Sequence, residues 1–221
     1  MARGYFVTGT DTGVGKTLIA CALLHGLREQ GLKAVGMKPV AAGCARTAQG
    51  LINEDVELLR AASAGSLPRE AVNVYAFETP IAPHIAAARE GAHIDLDLIL
   101  QRFGHLSEDG SCVVVEGAGG FLVPLTDSQS FADLAVRLGL PVVMVVGMRL
   151  GCINHALLTA EAIARRRLRL AGWVANRVDP EMACFEDNVE SLRVRLDAPL
   201  LGVVPFLVSS DPGAIRLDLP G

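Results

Sequence analysis

Apolar positions in this chain fall into two alternating rhythms. Residues 5–8, 33–40, 112–116, 141–146, 170–175 and 200–204 are almost unbroken apolar runs, the pattern of strands covered on both faces. Between them, residues 18–30, 53–62, 85–89, 94–103, 130–138, 153–167 and 181–196 read as helices. Local signals support these bounds: Asp95 stands at a cap position, Pro80 and Pro83 prepare a helix start, and Arg165-Arg166-Arg167 marks a C-terminus where cations oppose the helix dipole. Residues 41–50 read as a loop, 65–83 as irregular with an extended piece at 72–77, and 104–110 as a turn. The alternation predicts an α/β fold, a mostly parallel sheet with helices on both faces and right-handed crossovers. With 221 residues and no repeat or linker, one domain over 1–221 is expected.

In such a sheet, ligands gather beyond the carboxyl ends of the strands. The first strand runs into Gly9-Thr10-Asp11-Thr12-Gly13-Val14-Gly15-Lys16-Thr17 and then into a helix. A loop of this kind turns backbone N–H groups around phosphate oxygens, with lysine on the β/γ-phosphates and the threonine hydroxyl available to Mg²⁺. The strict pattern needs glycine at position 10, and Gly9 lies one residue too far upstream. Because Gly15-Lys16-Thr17 and the strand-to-helix setting are intact, the stretch reads as a variant phosphate loop of a P-loop nucleoside triphosphate hydrolase-like fold. A glycine-rich turn that only caps the helix is the other reading.

Three lysines stand among twenty basic residues, and two of them, Lys16 and Lys38, follow strands. Lys38 precedes Pro39, which keeps it out of the helical region and at a strand end. It is either a solvated lysine or a point charge facing the same pocket. Glu116, delivered by Val113-Val114-Val115, matches a carboxylate offered to Mg²⁺ or a strand-end ion pair. Asp55 is either a helix N-terminal acid or a second carboxylate that joins Thr17 in an oxygen-rich metal shell. Gly117-Ala118-Gly119-Gly120 allows close backbone approach by a ligand or makes a tight turn, and Asn176 has the donors and acceptor to read an adenine edge.

Composition narrows the classes. Half of the residues are apolar and the net charge is −4, which excludes disorder and leaves no basic footprint for nucleic acid. Five scattered cysteines lack metal spacing and suit a reducing cytoplasm. The first strand begins within four residues, which leaves no room for a signal peptide, and 140–147 is too short to span a bilayer, so a cytoplasmic protein is expected. No Ser/His/Asp or Cys/His arrangement suggests covalent catalysis.

Taken together and in order, Tyr5-Phe6-Val7-Thr8-Gly9-Thr10-Asp11-Thr12, Val14-Gly15-Lys16-Thr17, Lys38-Pro39-Val40, Val115-Glu116-Gly117-Ala118-Gly119-Gly120, Gly151-Cys152-Ile153-Asn154-His155-Ala156 and Gly172-Trp173-Val174-Ala175-Asn176 resemble the dethiobiotin synthetase family over nearly the whole chain. The resemblance implies a homodimeric enzyme that uses MgATP and CO2 to close the ureido ring on 7,8-diaminononanoate. It implies that Gly13, Val14, Gly15, Lys16, Thr17 and Leu18 hold phosphates, with Asp55, Glu116, Gly117, Ala118 and Gly119 beside them. Thr17, Asp55 and Glu116 would be the metal ligands, and Lys16 and Lys38 the catalytic cations. Asn176, Arg177, Pro205, Phe206 and Leu207 fall where the family holds adenine, and Thr12, Lys38, Ala42, Gly151, Cys152, Ile153 and Asn154 where it meets the diamine. Two positions depart from the pattern: Gly13 replaces a glutamate found in some members, and Ala42 a hydroxyl residue. The alternative is a P-loop ATPase switch of the partition or cell-division type, although its early loop lysine is missing and 209–221 is short and carries no amphipathic membrane helix. A cobyric-acid-type synthase would need a glutaminase domain for which no residues remain.

Overall fold

The computed structural model of the protein describes residues 3–206 and 211–220. Its core is a six-stranded parallel sheet formed by β1 (Arg3–Gly9), β2 (Ala34–Met37), β7 (Cys112–Gly120), β8 (Val142–Met148), β9 (Leu170–Arg177) and β10 (Leu200–Val204), in the order β10-β9-β8-β1-β7-β2. The helices are α1 (Lys16–Glu29), α2 (Glu54–Ala62), α3 (Arg69–Val72), α4 (Pro83–Arg89), α5 (Leu96–Ser107), α6 (Phe131–Leu138), α7 (Cys152–Arg165) and α8 (Phe185–Arg195). Successive strand residues point to opposite faces, which explains why these strands read as continuous apolar runs. Val7, Val114, Val143, Val145 and Val174 pack with α1 and α2 on one face. Phe6, Val113 and Val115 pack with α4, α5 and α6 on the other, where Met144, Val146, Trp173 and Ala175 meet α7 and α8.

Because β1 sits between β7 and β8, the loop after β1 opens at the point where strand order reverses, the usual ligand crevice of an open α/β sheet. The end of the described chain closes the α1 face. Ile215, Leu217 and Leu219 pack into that core, and the Tyr5 hydroxyl donates to the Pro220 carbonyl at 2.7 Å.

Several elements differ from the sequence reading. The run 33–40 is two strands, because Pro39 has no N–H for a ladder and the Lys38 N–H leaves the sheet to bond the Val72 carbonyl at 2.8 Å. The stretch read as loop 41–50 holds parts of three short strands: β3 (Val40–Ala42) pairs with β6 (Tyr75–Phe77), and β4 (Ala45–Thr47) forms a hairpin with β5 (Gly50–Ile52). Likewise, α5 continues through Gly104 because Leu106 buries itself against the core. The small residues 117–120 are not a loop either; β7 runs through them, with an irregularity in its pairing to β1 between Val7 and Gly9.

Candidate active site

Four elements bring charge to one point. Lys16 is the first residue of α1, entered through Gly15 at φ +87°, a left-handed conformation that favours glycine. Gly13 adopts φ +72°, so the residue that departs from the family's glutamate suits the backbone it occupies, and the space beyond its Cβ position is open. Lys38 follows β2 and is fixed at its backbone from both sides: its N–H bonds Val72, and its carbonyl accepts from Asn73 Nδ2 at 2.7 Å. Asp55 lies in the first turn of α2, whose Asn53 cap accepts from the Val56 N–H. Glu116 lies within β7, only 1% exposed.

The side chains converge. Lys38 Nζ donates to Glu116 Oε1 at 2.6 Å and to Asp55 Oδ2 at 2.7 Å, and Thr17 Oγ1 donates to the same Glu116 oxygen at 2.8 Å. Lys38 is 4% exposed. Burial opposes its charge, but Glu116 and Asp55 together outweigh burial and hold its pKa above the usual lysine value. The balance for Asp55 has the same form: burial disfavours the carboxylate, while Lys38, Thr17 and Lys16 bring its pKa down. Lys16 has less help. Burial pushes it down to about 8 despite the pull of Glu116, and its ammonium rests on the Asp11 carbonyl at 3.0 Å. Beneath this cluster, burial and the nearby carboxylates push the Cys21 thiol up to about 12, which makes it an inert core residue.

These groups line a cleft of about 710 Å³ together with Thr12, Gly13, Gly15, Leu18, Ala42, Ala118 and Gly119. Leu58, Pro80, Ile81, Ala82, Pro83 and Val123 add apolar lining, beside Glu54. The cleft thus offers charged groups for phosphates and apolar groups for a hydrocarbon chain. Glu116 Oε2 is buried and has no hydrogen-bond partner among the described residues, an orphaned acceptor. No group of three or more His, Cys, Asp or Glu able to hold a metal occurs among the described residues. An ion here would draw on two carboxylates, one hydroxyl and the oxygens of phosphate and water, which is the mixture Mg²⁺ prefers.

The chain matches the AAA domain family model over residues 3–213. It is 56% identical over 221 residues to the ATP-dependent dethiobiotin synthetase BioD of Aromatoleum aromaticum, covering 99% of this chain and 98% of that one. It is also 59% identical over 206 residues to the protein of the same name from Nitrosospira multiformis, covering 93% and 89%. The chain belongs to the dethiobiotin synthetase family. A chain of the MinC:MinD cell division protein complex of Aquifex aeolicus shares the fold, with a TM-score of 0.53 over 94% of this chain and 83% of that one, but only 18% of its residues. The likeness to cell-division proteins is therefore one of architecture, and the P-loop fold is that of an ATP-dependent synthetase here.

The remaining expected residues that are described do not line the cleft. Val14 is buried behind the loop, and its carbonyl accepts from Asn176 Nδ2 at 2.8 Å, which leaves the Asn176 amide oxygen facing away from that bond. Asn176 also crowds Gly15 so closely that a Cβ there would lie 2.2 Å from its nitrogen. Arg177 is engaged by its own loop, donating to the Pro180 carbonyl at 2.9 Å with its guanidinium 5.0 Å from the centre of the Phe185 ring. Pro205 and Phe206 follow β10 beside Asn176, with Val204 paired to it, and Leu207 lies outside the described residues. Gly117 is in β7 against Phe6.

At the start of α7, Gly151 is the left-handed N-cap, Asn154 is exposed, Ile153 is half-buried against the core, and the Cys152 side chain is buried in it. The Cys152 N–H is itself engaged, donating to the Arg149 carbonyl at 3.0 Å.

The sequence did not single out Arg149, whose guanidinium pairs with Asp11 Oδ2 while Asp11 Oδ1 accepts from the Thr12 N–H at 2.7 Å. That pair ties the phosphate loop to the segment leading into α7. An arginine 138 residues from its partner carries no local signal.

Proposed function

We propose that this protein converts 7,8-diaminononanoate, CO2 and ATP into dethiobiotin, ADP and phosphate, as a cytoplasmic homodimer that uses Mg²⁺. The observation that carries the reading is the cluster of buried Lys38 and Glu116 with half-buried Asp55, in a cleft that apolar residues also line.

One amine takes up CO2 as a carbamate and releases a proton. A carbamate oxygen attacks the γ-phosphorus and expels ADP, and the second amine then attacks the carbonyl carbon and expels phosphate with that oxygen. Lys16 and Lys38 offset the repulsion between carbamate and phosphate, which would otherwise keep the two anions apart. Thr17, Asp55 and Glu116 would hold Mg²⁺, whose charge neutralises the transferring phosphoryl group. The loop N–H groups from Gly13 to Leu18 position the phosphates, Asn176 with 205–207 the adenine, and Thr12 and Ala42 the diamine end.

The homodimer reading is supported by surface chemistry. Leu150 is 96% exposed, and Leu158 and Leu122 are exposed around a groove of about 440 Å³ lined by Phe121, Val123, Pro124 and Ala162. Apolar surface of this kind is a natural interface between copies. Residues 151–154 would then face the partner's cleft, where a helix start suits the substrate's distant carboxylate. Among the described residues, no helix is long and apolar enough to cross a membrane.

The test is phosphate release from MgATP with the diamine and bicarbonate added separately and together, with mass detection of the product. Release that requires both, matched by the cyclic urea, supports the synthetase. ATP turnover without diamine, or only with a protein or membrane partner, would put the switch reading ahead.

A further inference from the structure

The two oxygens of Glu116 are in different situations. Oε1 takes both the Lys38 ammonium and the Thr17 hydroxyl, while Oε2, equally enclosed, takes nothing among the described residues. The same ammonium also reaches Asp55. A single lysine therefore bridges the two carboxylates assigned above to the metal. We propose that Lys38 is the built-in counter-cation of this pocket and that its ammonium and a divalent ion exclude each other, so that metal loading releases Lys38 toward the incoming phosphate and carbamate. The proposal rests on Thr17, Asp55 and Glu116 being the metal ligands.

The exclusion follows from distance. Mg²⁺ binds oxygen at about 2.1 Å, and the ammonium already lies 2.6 and 2.7 Å from Glu116 Oε1 and Asp55 Oδ2. An ion bridging those same two oxygens would have to take the place of the ammonium, since two positive charges would compete for one pair of acceptors. Charge points the same way: the carboxylates of Asp55 and Glu116 are matched one for one by the ammonium groups of Lys16 and Lys38, and among the described residues Glu54 is the one further charged group in the lining.

Only the side chain is free to move, because the Lys38 backbone is held by Val72 and Asn73. The open direction is the cleft that Lys38 shares with Lys16 and Thr12. Bound phosphates would give the displaced ammonium a new partner and the ion its missing oxygens, so metal and nucleotide would bind cooperatively through this lysine. The exchange would also bring Lys38 to the reacting anions only when the metal is in place.

Three lysines in the chain make the exchange directly observable. The full-length protein labelled at lysine Cε should give three signals by NMR, with that of Lys38 assigned as the one lost in Lys38→Arg. Mg²⁺ added without nucleotide should shift the Lys38 signal, and a Lys38 signal unmoved at saturating Mg²⁺ would overturn the proposal. In parallel, Mn²⁺ binding to the nucleotide-free protein, read by electron paramagnetic resonance, should be at least about tenfold tighter in Lys38→Met than in wild type or Lys38→Arg. Equal or weaker binding in Lys38→Met would mean that the ion uses Oε2 with the ammonium still in place. If Glu116→Gln leaves Mn²⁺ affinity unchanged, the metal-ligand assignment itself fails, which is a separate result.

Discussion

The charged cluster of the cleft and the start of α7 serve the same proposed substrate by opposite means. In the cluster, Lys38, Glu116 and Asp55 are held by one another in a largely enclosed site, where each charge depends on its neighbours. At the α7 start, Gly151 and Asn154 are solvent-facing, Cys152 turns its thiol inward, and what remains for a ligand is backbone N–H and one amide. A buried charge cluster fails when one member is removed, because its partner is left uncompensated. A backbone-built site tolerates side-chain change but needs another surface to complete it.

The sharpest way to break this comparison is Lys38→Met. Loss of a cation placed at the transferring group should lower kcat by roughly 10²–10³-fold while ATP binding, measured directly, stays within a few fold; unchanged turnover would remove Lys38 from the chemistry. Next is pH. Lys16, lowered to about 8 by burial, binds phosphate as the ammonium, so kcat/KM for ATP should be steady below that value and fall about tenfold per unit above it. Lys38, whose pKa is raised, keeps its charge across this window. A profile that stays flat to pH 9.5, or the same fall in Lys16→Arg, would assign the titration elsewhere.

At the other region, Leu158→Arg should place a charge in the proposed interface. The expected outcome is a monomer by sedimentation with KM for the diamine raised and ATP binding retained. A fully active monomer would mean that each cleft works alone. The smallest effect is expected from Arg149→Met. An exposed ion pair is worth about 0.2–1 kcal/mol, so KM for ATP should rise no more than about fivefold. A double-mutant cycle with Asp11→Asn should show coupling; additivity would make the contact incidental.

The same contrast explains what the sequence could show. Lys16, Thr17, Lys38, Asp55 and Glu116 were legible because strands and a helix start deliver them at fixed offsets from strong local patterns, and the structure brings all five together. The mostly parallel sheet was legible for a similar reason, since strands buried on both faces read as apolar runs, whereas the order that puts β1 between β7 and β8 came only from the structure. Residues 41–42 and 117–120 were misread because their pairing partners, β6 and β1, lie far along the chain, and 45–50 because the three-residue strands of the β4–β5 hairpin are too short to show an alternating pattern. The Arg149–Asp11 tie and the apolar lining at Pro80 and Ile81 depend on tertiary approach alone.

The most direct test of the central claim follows one oxygen. With ¹⁸O-labelled bicarbonate, assayed before exchange with water, attack by the carbamate oxygen on the γ-phosphorus predicts one label in each phosphate released and dethiobiotin formed in equal amount. Phosphate free of label, with oxygen drawn from water instead, would show that ATP is only hydrolysed at this site and would contradict the assignment of Lys16 and Lys38 to phosphoryl transfer onto the carbamate.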